Sequence, residues 1–102
     1  MDKTVELDVG TYDNTLAAKT LAKLVSNEPN GYKLAGKVGR ILARLSFSLK
    51  ELNKVESKTR QMLGLMLYKK SKLACNDLPD EIKTYTENVI STIYKTWSNN
   101  NK

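Results

Sequence analysis

The residue type that most often carries acid–base catalysis is missing from this chain, and the most reactive nucleophile occurs once. Its 102 residues include no histidine, which removes the commonest general base and the commonest metal ligand. The single cysteine, Cys75, has no second thiol for an internal disulfide and no Cys/His cluster for zinc. With no histidine to activate it, Cys75 reads as a small buried hydrophobe, and the lack of a disulfide framework fits a reducing compartment. Asp80 and Glu81 are adjacent, so on a helix they diverge, and they stand where a helix dipole favours anions. Gly36-Lys37-Val38-Gly39-Arg40 is glycine-rich, yet it lies inside a helical pattern and lacks the G-x-x-x-x-G-K-[ST] spacing of a phosphate loop. No nucleophile, base and oxyanion donor converge. The expectation is a chain that binds rather than catalyses, with no cofactor and no metal.

The residues that could bind are cations. Lys and Arg number 17 against 11 Asp and Glu, a net charge of +6, which favours an anionic partner. Lys33, Lys37, Arg40 and Arg44 fall at i, i+4, i+7 and i+11, one basic stripe along a helix. No acidic residue relieves their mutual repulsion from Tyr32 to Lys50, although like charges at i, i+4 destabilise a helix. Lys50, Lys54 and Lys58 continue the charge at i, i+4 and i+8 on the next helix, and Lys69, Lys70 and Lys72 form a further cluster. Read functionally, these seven stripe residues are an anion-docking surface; read blandly, they are a solvated face. Only Tyr32 and Tyr68 interleave with cations, so a stacking platform for single strands has little support.

The elements that must hold these residues are helical. Val5, Leu7 and Val9 alternate with Thr4, Glu6 and Asp8 in strand period. No second strand is evident, so residues 1–12 read as an extended or flexible arm rather than part of an internal sheet. A first helix starts at Asp13 or Asn14, both good caps, carries Leu16, Ala17, Leu21, Leu24 and Val25, and ends at Asn27-Glu28-Pro29-Asn30-Gly31, the strongest turn signal in the chain. A second spans 32–45, with Leu34, Val38, Ile41, Leu42 and Leu45 as its apolar stripe. Its third ridge is small: Ala35, Gly39 and Ala43, with Gly36 beside it. Glycine costs about 1 kcal/mol inside a helix, so close approach of a backbone or a ligand is expected there.

Ser48 with Glu51 has the form of a capping box, and Phe47 with Leu52 of its hydrophobic staple. That predicts a turn at Ser46 and Phe47 and a third helix from Leu49. An unbroken helix over 49–73 would be about 37 Å long, so a break is expected near Ser57, followed by a buried segment with Met62, Leu63, Met66 and Leu67 in the core. Asp77 is the expected cap of the last helix, with Pro79 in its first turn. Ile82, Tyr85, Val89, Ile90, Ile93, Tyr94 and Trp97 share one face of it, and residues 98–102 form a polar, frayed tail. The expected fold is all-α: a small four- to five-helix bundle over 13–97 with an extended N-terminal arm. Leu42, Leu45, Leu63, Leu67, Val89 and Ile93 are its expected core. The charged first ten residues do not form a signal peptide, and no apolar run is long enough to span a membrane, so a soluble intracellular protein is expected.

From Val38 onward, the order of features resembles the N-terminal domain of transcription elongation factor S and its relatives in elongins, Mediator and integrase-binding cofactors. The corresponding pieces are Ile41-Leu42-Ala43-Arg44-Leu45, the capped Ser48-Leu49-Lys50-Glu51-Leu52, Met62 through Tyr68-Lys69-Lys70, and Val89-Ile90-Ser91-Thr92-Ile93-Tyr94-Lys95-Thr96-Trp97. The chain departs where the family has an Ile-Gly or Val-Gly step, for Glu56-Ser57-Lys58-Thr59 stands there, and its loop before the final helix is longer. The resemblance implies a scaffold of the transcription machinery, nuclear in location, that receives short acidic-hydrophobic segments of disordered partners. On that reading Lys50, Lys54 and Lys58 attract the acidic segment. The alternative is a small nucleic-acid-binding protein, or a subunit of a nucleoprotein assembly, with Lys33, Lys37, Arg40 and Arg44 along phosphates. A homo-oligomer built on the small ridge is a third reading.

Overall fold

Four amphipathic segments bury their apolar stripes against one another, and a two-stranded ribbon precedes them. The computed structural model describes residues 5–7, 10–12 and 14–101. Strand β1 (Val5–Leu7) pairs antiparallel with β2 (Gly10–Tyr12), Val5 opposite Tyr12, and β2 runs alongside the last helix. The expectation of no internal sheet is therefore corrected. The period-2 pattern stops at Gly10, but Gly10-Thr11-Tyr12 folds back as its partner. Val9 and the expected cap Asp13 lie outside the described residues, as do the side chains of Leu16 and Ala17.

Helix α1 (Asn14–Val25) ends at the predicted turn. A Cβ on Gly31 would collide with the Val25 carbonyl, so only glycine lets the chain close there. Helix α2 (Gly31–Glu51) then runs without interruption, where a turn at Ser46 and Phe47 was expected. Val38, Ile41, Leu45 and Leu49 are all buried on one face. A turn at 46–47 would swing Leu49 off that stripe, and the loss of its burial outweighs the one or two hydrogen bonds of a capping box. Ser48 therefore caps nothing, and Phe47 projects away from the core.

The expected break near Ser57 is present. A 3₁₀ turn, Leu52–Lys54, leads to extended Val55 and Glu56. Glu56 caps α3 (Ser57–Leu73), its Oε1 accepting the Thr59 N–H at 2.8 Å. That bond to the backbone holds the Glu56 carboxyl below its ordinary range. After α3, the backbone of residues 74–78 turns through successive short-range hydrogen bonds, Cys75 N–H to Lys72 and Leu78 N–H to Cys75. Helix α4 (Asp80–Asn100) follows, with Pro79 itself at the cap position. The expected cap Asp77 instead pairs with Lys37 across the turn, at 3.5 Å. Nor does the expected frayed tail begin at Ser98, since α4 continues to Asn100. Asn101 accepts from Arg60 Nη1 at 3.2 Å and, through its carbonyl, from Gln61 Nε2 at 2.8 Å.

The core is built on α2 and α4: Val38, Ile41, Leu45 and Leu49 face Ile82, Val89, Ile90, Ile93 and Trp97, with Cys75 and Leu78 from the connector. Leu45, Val89 and Ile93 are buried as expected, whereas Leu42, Leu63 and Leu67 are only half-buried. Cys75 is a buried hydrophobe, and burial pushes its thiol above the ordinary range.

Candidate functional site

The orientation of α3 decides where a site can be. Its spacing suggests that Met62, Leu63, Met66 and Leu67 turn inward. The structure turns the helix otherwise. Gly64 is its buried residue, set against the Trp97 ring. Tyr68 stacks on Tyr94 with ring centroids 4.7 Å apart, and Tyr68 Oη and Ser91 Oγ share a hydrogen bond at 3.2 Å. The Ser91 hydroxyl holds the Tyr68 phenol below its ordinary range, and Lys72 Nζ lies over the same ring, 5.4 Å from its centroid. With Gly64 and Tyr68 facing α4, Met62 and Met66 point outward, each 59% exposed. Leu73 is 68% exposed and Leu65 is exposed as well. The expected methionine core is thus corrected: Met62 and Met66 are surface residues.

Between this outward face and α2 lies a groove of about 490 Å³. Phe47, 62% exposed, forms one wall with Leu52. Leu63, Met66 and Leu67 form the other, and Glu51, Ser48 and Lys70 stand at the edges. A smaller depression of about 200 Å³ continues between the same two helices, bordered by Arg44 and Lys70. Together they make an apolar trough with Arg44, Lys70 and Glu51 at its rim. Methionine side chains suit such a surface, because their unbranched thioethers adapt to varied partners.

The sequence-predicted cations are distributed differently from the expectation. Lys33, Arg40 and Arg44 are exposed along α2, while Lys37, on the same stripe, is partly covered and paired with Asp77. Arg44 reaches the trough. Lys50, Lys54 and Lys58 do not form one helical stripe. Lys50 ends α2, Lys54 sits in the 3₁₀ turn with Glu51 at 3.4 Å, and Lys58 opens α3 beyond an extended step. Their i, i+4, i+8 spacing has no meaning across a broken helix. The small ridge is also open. A Cβ on Gly39 would meet nothing within 4 Å, and one on Gly36 would meet only the Arg40 guanidinium. Neither glycine is explained by a neighbouring backbone among the described residues.

Phe47, Leu52 and Met66 do not stand out in the sequence as site residues, and Lys70 does so only within the Lys69, Lys70 and Lys72 cluster. The signal that could have found them is the apolar surplus on α3: it has more large apolar residues than one buried face can use. Among the described residues, no three His, Cys, Asp or Glu side chains gather as a metal site, and no helix is long and apolar enough to cross a membrane. Comparison with family models, curated proteins and solved structures returned no match.

Proposed function

We propose that this chain is a non-catalytic interaction module whose α2/α3 trough receives an acidic-hydrophobic segment of a partner protein. The observation that carries the reading is the outward turn of α3, which leaves Met62, Met66 and Leu73 exposed beside the groove walled by Phe47, Leu63 and Leu67. Charge selects the occupant. Arg44 of α2 and Lys70 of α3 line the trough, and its one lining carboxylate, Glu51, is already paired with Lys54. A second copy docked face to face would set these cations against their own duplicates, whereas an acidic segment complements them. Its apolar side chains at helical spacing would fill the trough, and its carboxylates would lie near Arg44 and Lys70. The setting, a nuclear transcription assembly with disordered partners, rests on the sequence resemblance to the elongation factor S domain, of which the turn and Ser48 cap are missing because α2 runs on to Glu51. The N-terminal hairpin acts as an arm laid on α4.

The test uses two labelled amphipathic peptides with the same leucine spacing, one flanked by glutamate and the other by lysine. The glutamate peptide should bind, and Met66→Glu and Phe47→Ala should each weaken it. Equal binding of both peptides, or binding indifferent to either substitution, would remove the trough from the account. Self-association of the free chain that Met66→Glu abolishes would make a second copy the occupant instead.

A further inference from the structure

A second surface lies on α2 away from the trough walls. Tyr32, 94% exposed, is the most exposed large hydrophobic side chain among the described residues. One turn along is Gly36, and one turn further is Arg40. These residues, with Lys33 and Ala35, line a shallow, open notch along one face of α2. The tyrosine is one wall, the arginine the other, and the glycine part of the floor. Helical side chains lean toward the N-terminus, and accordingly the Arg40 guanidinium folds back over Gly36, its Nη1 3.6 Å from where a Cβ would be. Glycine keeps the floor low.

Chemically, the notch offers an open aromatic face, a planar guanidinium opposite and the Lys33 ammonium beside them, with no acidic residue anywhere in residues 31–50. It offers no apolar pocket for a peptide anchor. We propose that this notch takes an unpaired base of a single-stranded nucleic acid, stacked on Tyr32, with its flanking phosphates on Lys33 and Arg40. Base–aromatic stacking is sequence-tolerant and serves unpaired bases, while guanidinium and ammonium groups supply the salt-sensitive contacts to phosphate. The inference is independent of the trough: it uses other residues and another class of partner.

The experiment measures anisotropy of a short labelled oligothymidylate and oligouridylate over a salt series, with a matching duplex, thymidine monophosphate and inorganic phosphate as competitors. Single strands should bind and compete better than the duplex. Tyr32→Ala should weaken binding about fivefold or more, and Tyr32→Phe should retain it. Lys33→Ala with Arg40→Ala should lower the slope of log affinity against log salt by about 0.7 per phosphate lost. Gly36→Leu is the sharpest variant: it favours the helix but raises the floor, so it should abolish binding while the circular dichroism stays helical. Phe47→Ala should leave binding unchanged, which separates this surface from the trough. Absence of single-strand binding at low salt overturns the proposal. So does binding indifferent to Tyr32→Ala and Gly36→Leu, which would be charge attraction alone. Competition by the mononucleotide as strong as by the strand would make this a nucleotide pocket rather than a strand site.

Discussion

Gly64 of α3 lies so close against the indole of Trp97 on α4 that a β-carbon at Gly64 would overlap the six-membered ring. This pair fixes the rotation of α3, and with it the outward position of Met62 and Met66. Gly64→Ala gains up to about 1 kcal/mol of helix propensity, but it must displace a fully buried ring at a cost of about 1–3 kcal/mol. Net destabilisation is expected in urea unfolding. The smaller ring of Trp97→Phe should relieve the clash, so the double variant should lose less than the sum of the two single losses.

Thr86 is fully buried, and its hydroxyl has no hydrogen-bond partner. An unmade hydrogen bond at such a site costs about 1–3 kcal/mol, and Val has nearly the same shape. Thr86→Val should therefore raise the melting temperature. A lower melting temperature would mean that the hydroxyl does have a partner in solution.

Leu45 and Leu63 should separate core from trough. Leu45→Ala removes a buried side chain and should cost about 2–5 kcal/mol. Leu63, half-buried at the groove wall, should cost clearly less when truncated. Equal losses from chemical denaturation would place Leu63 back in the core and close the trough.

Cys75 supplies the pH dependence. Burial raises its thiol pKa above the ordinary value of 9.0, so the folded chain holds that proton more tightly than the unfolded one. The resulting stability is fully present below the ordinary thiol pKa and is lost as pH rises through the raised, folded value. Urea midpoints measured from neutral to alkaline pH should fall more steeply for the native chain than for Cys75→Val. Parallel curves would refute the linkage.

Ser48 tests the continuity of α2. In a capping box, its replacement by Ala would cost about 0.5–2 kcal/mol. In the middle of a helix, with no cap to lose, Ser48→Ala should change stability by no more than about 0.5 kcal/mol in either direction, as read from a thermal melt.

Local signals decided much of the architecture. Pro29-Asn30-Gly31 marked the first turn, the apolar gap after Val55 marked the break, and Pro79 marked the start of α4. In α2 and α4, the apolar periodicity placed Val38, Ile41, Leu45, Val89, Ile90 and Ile93 on the faces that are buried, although Leu34, Leu42, Tyr85 and Tyr94 on the same faces are only half-buried. What failed was decided by other parts of the chain. The Ser48–Glu51 pattern is a good local cap, but Leu49 gains more by staying on the buried stripe of α2. On α3, hydropathy alone favours turning the methionines inward. The indole of Trp97 needs a surface without a β-carbon, which only Gly64 provides, and Tyr68 needs Tyr94. Shape complementarity between residues more than twenty positions apart outweighed hydrophobicity, and it turned a would-be core face into the trough. The sequence by itself determined that there are helices, that turns fall at Pro29-Asn30-Gly31 and before Pro79, and that the chain is basic. The tertiary structure determined which side of α3 meets solvent, because the fit of a ring against a glycine depends on the partner helix and leaves no periodic trace.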